Sequence, residues 1–186
     1  MVPITALWLP ILLAAVVVFI ASSIMHMVLP YHKSDYRKLP DEDKVVDSLR
    51  AVGVTPGPVY HFPHSTHKDM KSPEAIEKFK RGPVGLLTII PSGPPAMGKY
   101  LGLWFALCLL ISFVVGCFAG ATHAPGTEHH EIFHFFAITA FLAYGFGHFQ
   151  DSIWKGQTWG VTLKHLFDAA IYALLTAETF SLLWPR

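Results

Sequence analysis

Four long apolar stretches constrain this chain more than any other feature of it. Residues 4–29 run almost unbroken without a formal charge, and 100–121, "YLGLWFALCLLISFVVGCFAGA", is the cleanest run. Residues 132–149 are rich in aromatic side chains, and 161–184 is the most polar of the four. Each reaches or approaches the roughly 20 residues with which a helix crosses a bilayer. Backbone exposed to lipid must satisfy its own polar groups, so such segments are helices. Charged residues make up 15% of the chain, against about 25% in an ordinary soluble domain. The expected fold is therefore an all-α integral membrane protein with four transmembrane helices in contact with the lipid bilayer. Residues 1–29 form the first helix, 30–97 a small α/β insert, and 98–186 the remaining helices, at about 100–121, 131–150 and 161–184. The first segment lacks a basic n-region and a small-residue cleavage site, so it reads as an anchor rather than a signal peptide.

Basic residues set the expected orientation. Ten of the fourteen Lys and Arg lie between residues 30 and 97, and Lys99 sits at the edge of that segment. The connection 122–131 has no Lys or Arg, while Lys155 and Lys164 flank the last connection. By the positive-inside rule the insert is cytoplasmic, both termini lie outside, and the location is a bacterial inner membrane. Net charge is +1, which gives no footing for nucleic acid as a partner. The two cysteines, Cys108 and Cys117, share one apolar stretch. On a helix they are separated by roughly 13 Å of rise, too far for a disulfide.

The insert has local grammar of its own. "PDEDKVVDSLRAVG" places acids in a first turn, an apolar face at Val45, Val46, Leu49 and Val52, and Gly53 as a stop, which predicts a helix. "SPEAIEKFKRG" repeats this with Ser72 as cap, Pro73 in the first turn and Gly82 at the end. "VYHF" and "VGLLTII" read as strands. Three histidines, His61, His64 and His67, fall in a Pro-interrupted loop, where they read as solvated.

Chemistry enters with "HHEIFH" at 129–134, which contains His130-Glu131-Ile132-Phe133-His134. On a helix that spacing puts two imidazoles one turn apart as zinc ligands, with Glu131 between them as a general base. The five residues resemble the H-E-x-x-H motif of intramembrane zinc proteases. The resemblance stops there, because no segment here matches those families' third-ligand motif; Glu178 is the best remaining candidate. A di-iron desaturase would need several more histidine boxes than the chain offers.

Ionisable groups at membrane depth are costly, and each is a functional candidate. His130, His134 and His148 recur on one face of the third helix, and His165, Asp168 and Tyr172 on one face of the fourth. A short connection makes these helices antiparallel neighbours. The expectation is an inner polar cluster of His26, His148, Asp151, His165 and Asp168, and an outer metal set of His130, His134 and Glu178. His148 and His165 are candidate ligands for haem or a chlorophyll-type pigment, and zinc or copper suits the outer set. No catalytic set is complete. The leading expectation is thus a non-catalytic accessory or scaffold subunit of a bacterial membrane complex, an energy-transducing one, held by larger membrane subunits. The alternative is a metal-, haem- or pigment-binding membrane protein built on the third helix, the H-E-x-x-H metalloprotease included.

Overall fold

The computed structural model describes residues 1–186. The chain is mostly helical and divides into two compact units, one of Met1–Asp35 with Ala96–Arg186, the other of Tyr36–Pro95.

In the first unit a short 3-10 turn, Ile4–Leu7, leads into α1, Trp8–Ser23. Pro10 lies in the first turn of α1, where a missing N–H costs nothing, and the helix passes through it. Its last turn widens into a π-helical stretch, Ile24–Val28. Leu29 is extended, as residues before proline tend to be, and Pro30–Ser34 forms a 3-10 turn.

The elements that follow are α2 (Glu42–Val52), β1 (Val59–Phe62), α3 (Pro73–Arg81) and β2 (Gly85–Thr88) in the second unit. Then come α4 (Met97–Thr122), α5 (His129–Gly145), α6 (Gly147–Trp154) and α7 (Trp159–Leu182). A single non-helical residue, Phe146, separates α5 from α6.

Three stretches are long and apolar enough to cross a membrane: Ile4–Val28, Met97–Thr122 and His129–Trp154. The fourth expected span, α7, is 24 residues long. It carries Lys164, His165, Asp168 and Glu178, and this polar load keeps it out of that group.

Packing arranges α1, α4, α5 and α7 in a ring, with α1 against α4 and α7, and α5 against the same two. The seams are built from small residues, as membrane helices require when burial against lipid gains little. On α4 the buried positions Cys108, Ser112, Gly116, Ala119 and Gly120 recur at three- and four-residue spacing. A Cβ on Gly120 would lie 2.5 Å from the Val2 carbonyl oxygen, and Val2 N–H donates to the Gly120 carbonyl at 2.8 Å. At one end of the ring Phe136 stacks on Phe180 with centroids 3.9 Å apart. Gly145 meets Ala169 and Leu166, each 3.2 Å from where its Cβ would sit, so α5 and α7 approach closely there.

The second unit is thinner. β1 and β2 pair antiparallel, from Val59 opposite Thr88 to Phe62 opposite Gly85. Ser72 Oγ accepts from the Ala75 N–H to cap α3, and Gly82 ends it with positive φ. Gly53 likewise closes α2 with positive φ. Ala75 is the only buried residue of this unit.

The boundary between units differs from the expected one at residue 30. Residues 30–35 belong to the helical unit, because Tyr31, His32 and Asp35 are tied to α7 by hydrogen bonds.

Candidate metal centre

Asp168 is the focus of the helical unit. It lies on the inner face of α7, only 2% exposed, among Ala169, Tyr172 and Ala173. An ionised carboxylate buried without partners costs several kcal/mol, so its surroundings must answer for it. They do so with three imidazoles and a phenol. Asp168 Oδ2 lies 2.8 Å from His32 Nε2, 3.5 Å from His26 Nε2 and 3.9 Å from His165 Nδ1. The Tyr31 hydroxyl donates to Oδ1.

Local structure explains why these residues meet. The π-helical turn at Ile24–Val28 carries His26 out of the α1 register, and such turns recur at functional sites. The Leu29-Pro30 break folds the chain back into a 3-10 turn, so that His32 returns beside His26. Their rings stack with centroids 4.0 Å apart. His165 stands one turn before Asp168 on α7, and its ring stacks on that of His148 from α6 at 4.4 Å. Three imidazoles therefore gather around one carboxylate, with His148 stacked behind His165.

A second layer holds the first. His32 Nδ1 donates to Asp35 Oδ2 at 2.6 Å, which orients the ring with Nε2 aimed at Asp168. The Lys164 ammonium spends its donors on the Tyr31 carbonyl at 2.7 Å, Ser34 Oγ at 2.7 Å and Asp35 Oδ1 at 2.6 Å. Burial pushes the Asp35 carboxyl pKa up, but the hydrogen bonds from Lys164 and His32 outweigh it and leave it below its ordinary value. Burial, then the Asp168 carboxylate, raise the Tyr31 phenol above its ordinary value, so Tyr31 is a fixed donor.

The donor set suits a transition metal. Ligand atoms of His26, His32 and Asp168 all lie within 4.8 Å of one another. Tetrahedral arms of about 2.0–2.1 Å place ligand atoms roughly 3.3 Å apart. The 3.5 Å pair is near that value already, and the 2.8 Å pair would open by about half an ångström. His165 Nδ1 stands outside this group, 3.9 Å from Asp168 Oδ2. The Asp35–His32 contact is the carboxylate–histidine pairing that typically stands behind a metal-bound imidazole.

The residues singled out from sequence divide in two. His26, His148, His165 and Asp168 come together. Asp151 does not join them; it pairs with Lys155 at 2.7 Å, four residues on. His148 and His165 lie face to face with 12° between their planes. Axial ligation of a macrocycle from both sides needs two ring nitrogens aimed at each other across it, so this pair does not form such a site.

The outer set of His130, His134 and Glu178 is not assembled. α5 turns Ile132, Phe136, Ala140 and Tyr144 inward, which leaves His130, Glu131 and His134 exposed. His130 pairs instead with Glu128 at 3.2 Å, and Glu131 lies 3.9 Å from His123. His129 is the residue that faces Glu178, at 3.7 Å, and Ser181, at 3.0 Å. The hydrophobic period of α5 decides this, since its apolar face and the H-E-x-x-H face do not coincide.

Tyr31, His32, Asp35 and Lys164 escaped the sequence reading. A signal was present in "HMVLPYHKSD", where a proline between two histidines reverses the chain and an acid follows. No protein-family model matches the chain, and no curated protein or solved structure matches it either.

Proposed function

We propose that this protein is a four-span membrane protein that binds a transition metal ion through His26, His32 and Asp168, with His165 as the fourth ligand. The observation that carries the proposal is the convergence of the His26, His32 and Asp168 ligand atoms within 4.8 Å of one another, the carboxylate among them buried. The Asp35 contact to His32 supports it further. Imidazole with one carboxylate favours zinc, copper or iron over magnesium or calcium.

In this reading α7 is the fourth span. Two of its charges, Lys164 and Asp168, are paired within the bundle with Asp35 and His32 from the turn after α1, as intramembrane ionisable groups require. Residues 36–95 lie on the cytoplasmic side by the placement of basic residues, in a bacterial inner membrane. The metal centre then sits at the cytoplasmic edge. An accessory-subunit role in a larger membrane complex is compatible with this.

The test is metal analysis of detergent-purified protein after loading with zinc, copper or cobalt. One ion per chain is expected, with visible cobalt bands of a four-coordinate site. His26→Gln, whose side chain is 41% exposed, is expected to fold and to lose most of the ion. Wild-type protein that takes up no metal above the level of His26→Gln sinks the proposal.

A further inference from the structure

The two-stranded sheet of residues 36–95 has two unlike faces. Residues directly opposite in an antiparallel pair share a face, so Val59 with Thr88 and His61 with Leu86 lie on one side. Val84 and Ile90, next in the same alternation, stand just beyond the ends of β2. On that side Val59 is 62% exposed, Leu86 39%, Val84 53% and Ile90 68%. On the other, Tyr60 and Leu87 are partly buried, and the Phe62 ring lies against Gly85. The unit itself leaves the first face open, since Ala75 is all that it buries. A contiguous exposed apolar face marks an interaction surface.

Chain length and charge name the occupant. Only residues 91–96 separate Ile90 from Met97, where α4 begins, and a fully extended chain over that interval spans about 25 Å. Pro91, Pro94 and Pro95 favour an extended path through it. Because α4 is long and apolar enough to cross a membrane, the sheet is tethered within reach of a bilayer surface. Between residues 63 and 90 the chain carries five Lys and Arg against three Asp and Glu. Lys80 and Arg81 end α3, and only Gly82 and Pro83 stand between them and Val84, so cations adjoin the apolar face. Apolar side chains beside an excess of positive charge suit an anionic headgroup layer. A second copy fits less well, because a two-fold contact through this face would set like charges beside each other.

From these features we infer that the sheet face of Val59, Val84, Leu86 and Ile90 docks on the anionic lipid surface of the membrane that α1 and α4 cross. Its apolar side chains enter the headgroup layer, and Lys80 and Arg81 meet lipid phosphates. The inference needs α1 and α4 as spans; neither the metal ion nor α7 as a fourth span enters it.

The test uses full-length protein lacking Cys108 and Cys117, with Leu86→Cys carrying a nitrobenzoxadiazole dye, reconstituted in vesicles. In a phosphatidylcholine–phosphatidylglycerol mixture the emission is expected to shift to the blue and to be quenched by lipids bearing a headgroup-level nitroxide. The same dye on Ser48→Cys in α2 is expected to stay unshifted and largely unquenched. Adding Val84→Glu with Ile90→Glu should abolish most of the quenching at Leu86. Lys80→Gln with Arg81→Gln, which leaves the sheet untouched, should lower it to the level seen in phosphatidylcholine alone. An unshifted dye at Leu86 overturns the inference, and so does a shift without nitroxide quenching, which would mean that protein covers the face. Equal quenching at Ser48, or quenching that neither pair of substitutions reduces, overturns it as well. Metal uptake by the same vesicles is expected to be alike in every variant, so loss of docking and loss of the ion are read apart.

Discussion

Asp168 shows how one residue can organise a membrane bundle. Its carboxylate is buried among Ala169, Tyr172 and Ala173, and only the four partners around it make that tolerable. Those partners come from two places in sequence, the end of α1 with the turn after it, and α7 itself. Asp35 acts at one remove by holding His32. Asp35→Asn is expected to leave the ion bound but to lower affinity about 10- to 100-fold, as losses of such supporting carboxylates do. Competition with a coloured chelator measures this. Affinity equal to wild type would mean that His32 is oriented by something else. Glu131 supplies the contrast, for it sits in a motif associated with catalysis and yet faces outward.

Among the elements, α4 illustrates why small residues matter. Gly116 and Gly120 lie one turn apart on its buried face, against Ile11 and Phe180 and against the Val2 backbone respectively. Gly120→Ala places a methyl where the Val2 carbonyl oxygen stands, and that backbone must move. The expected cost is about 1–3 kcal/mol, the usual range for overpacking. Gly102→Ala, with nothing within 4 Å of its would-be Cβ, is expected to be neutral or slightly stabilising, since alanine is the better helix former. Thermal unfolding of both variants in one detergent makes the comparison, and equal midpoints would refute the close-approach argument. The π-helical turn after α1 is the other informative element. It was not legible in advance, because "SSIMHMVL" has no proline or glycine to mark a change of helix type.

At the scale of the whole molecule, the helical unit and the 36–95 unit are unequal. The former has a continuous core in two clusters, while the latter buries Ala75 alone. So little burial does not offset the backbone entropy of about 60 residues. A fragment of residues 36–95 is therefore expected to show no cooperative thermal transition by circular dichroism, and a sharp one would mean the unit stands by itself. The proposed topology has its own check. Single cysteines at Ser48 and at Thr127, in a background lacking Cys108 and Cys117, are expected to react with an impermeant maleimide from opposite sides of the membrane. Labelling of both from one side would remove the four-span arrangement.

By itself the sequence determined the apolar helices, the polar residues set among them, the helix signals in 36–95 and the short link that makes α5–α6 and α7 neighbours. These follow from local rules: segment length, hydrophobic period, caps and turn residues. Only the tertiary structure decided which histidines converge. A helical face is a broad stripe, and a rotation of one residue, about 100°, exchanges His129 for His130 opposite Glu178. Nor does any local rule foretell that Pro30 turns the chain back and carries His32 to Asp168, because that contact spans 136 positions. Long-range closure depends on how four helices pack together, and that is set by their shapes jointly rather than by any segment alone.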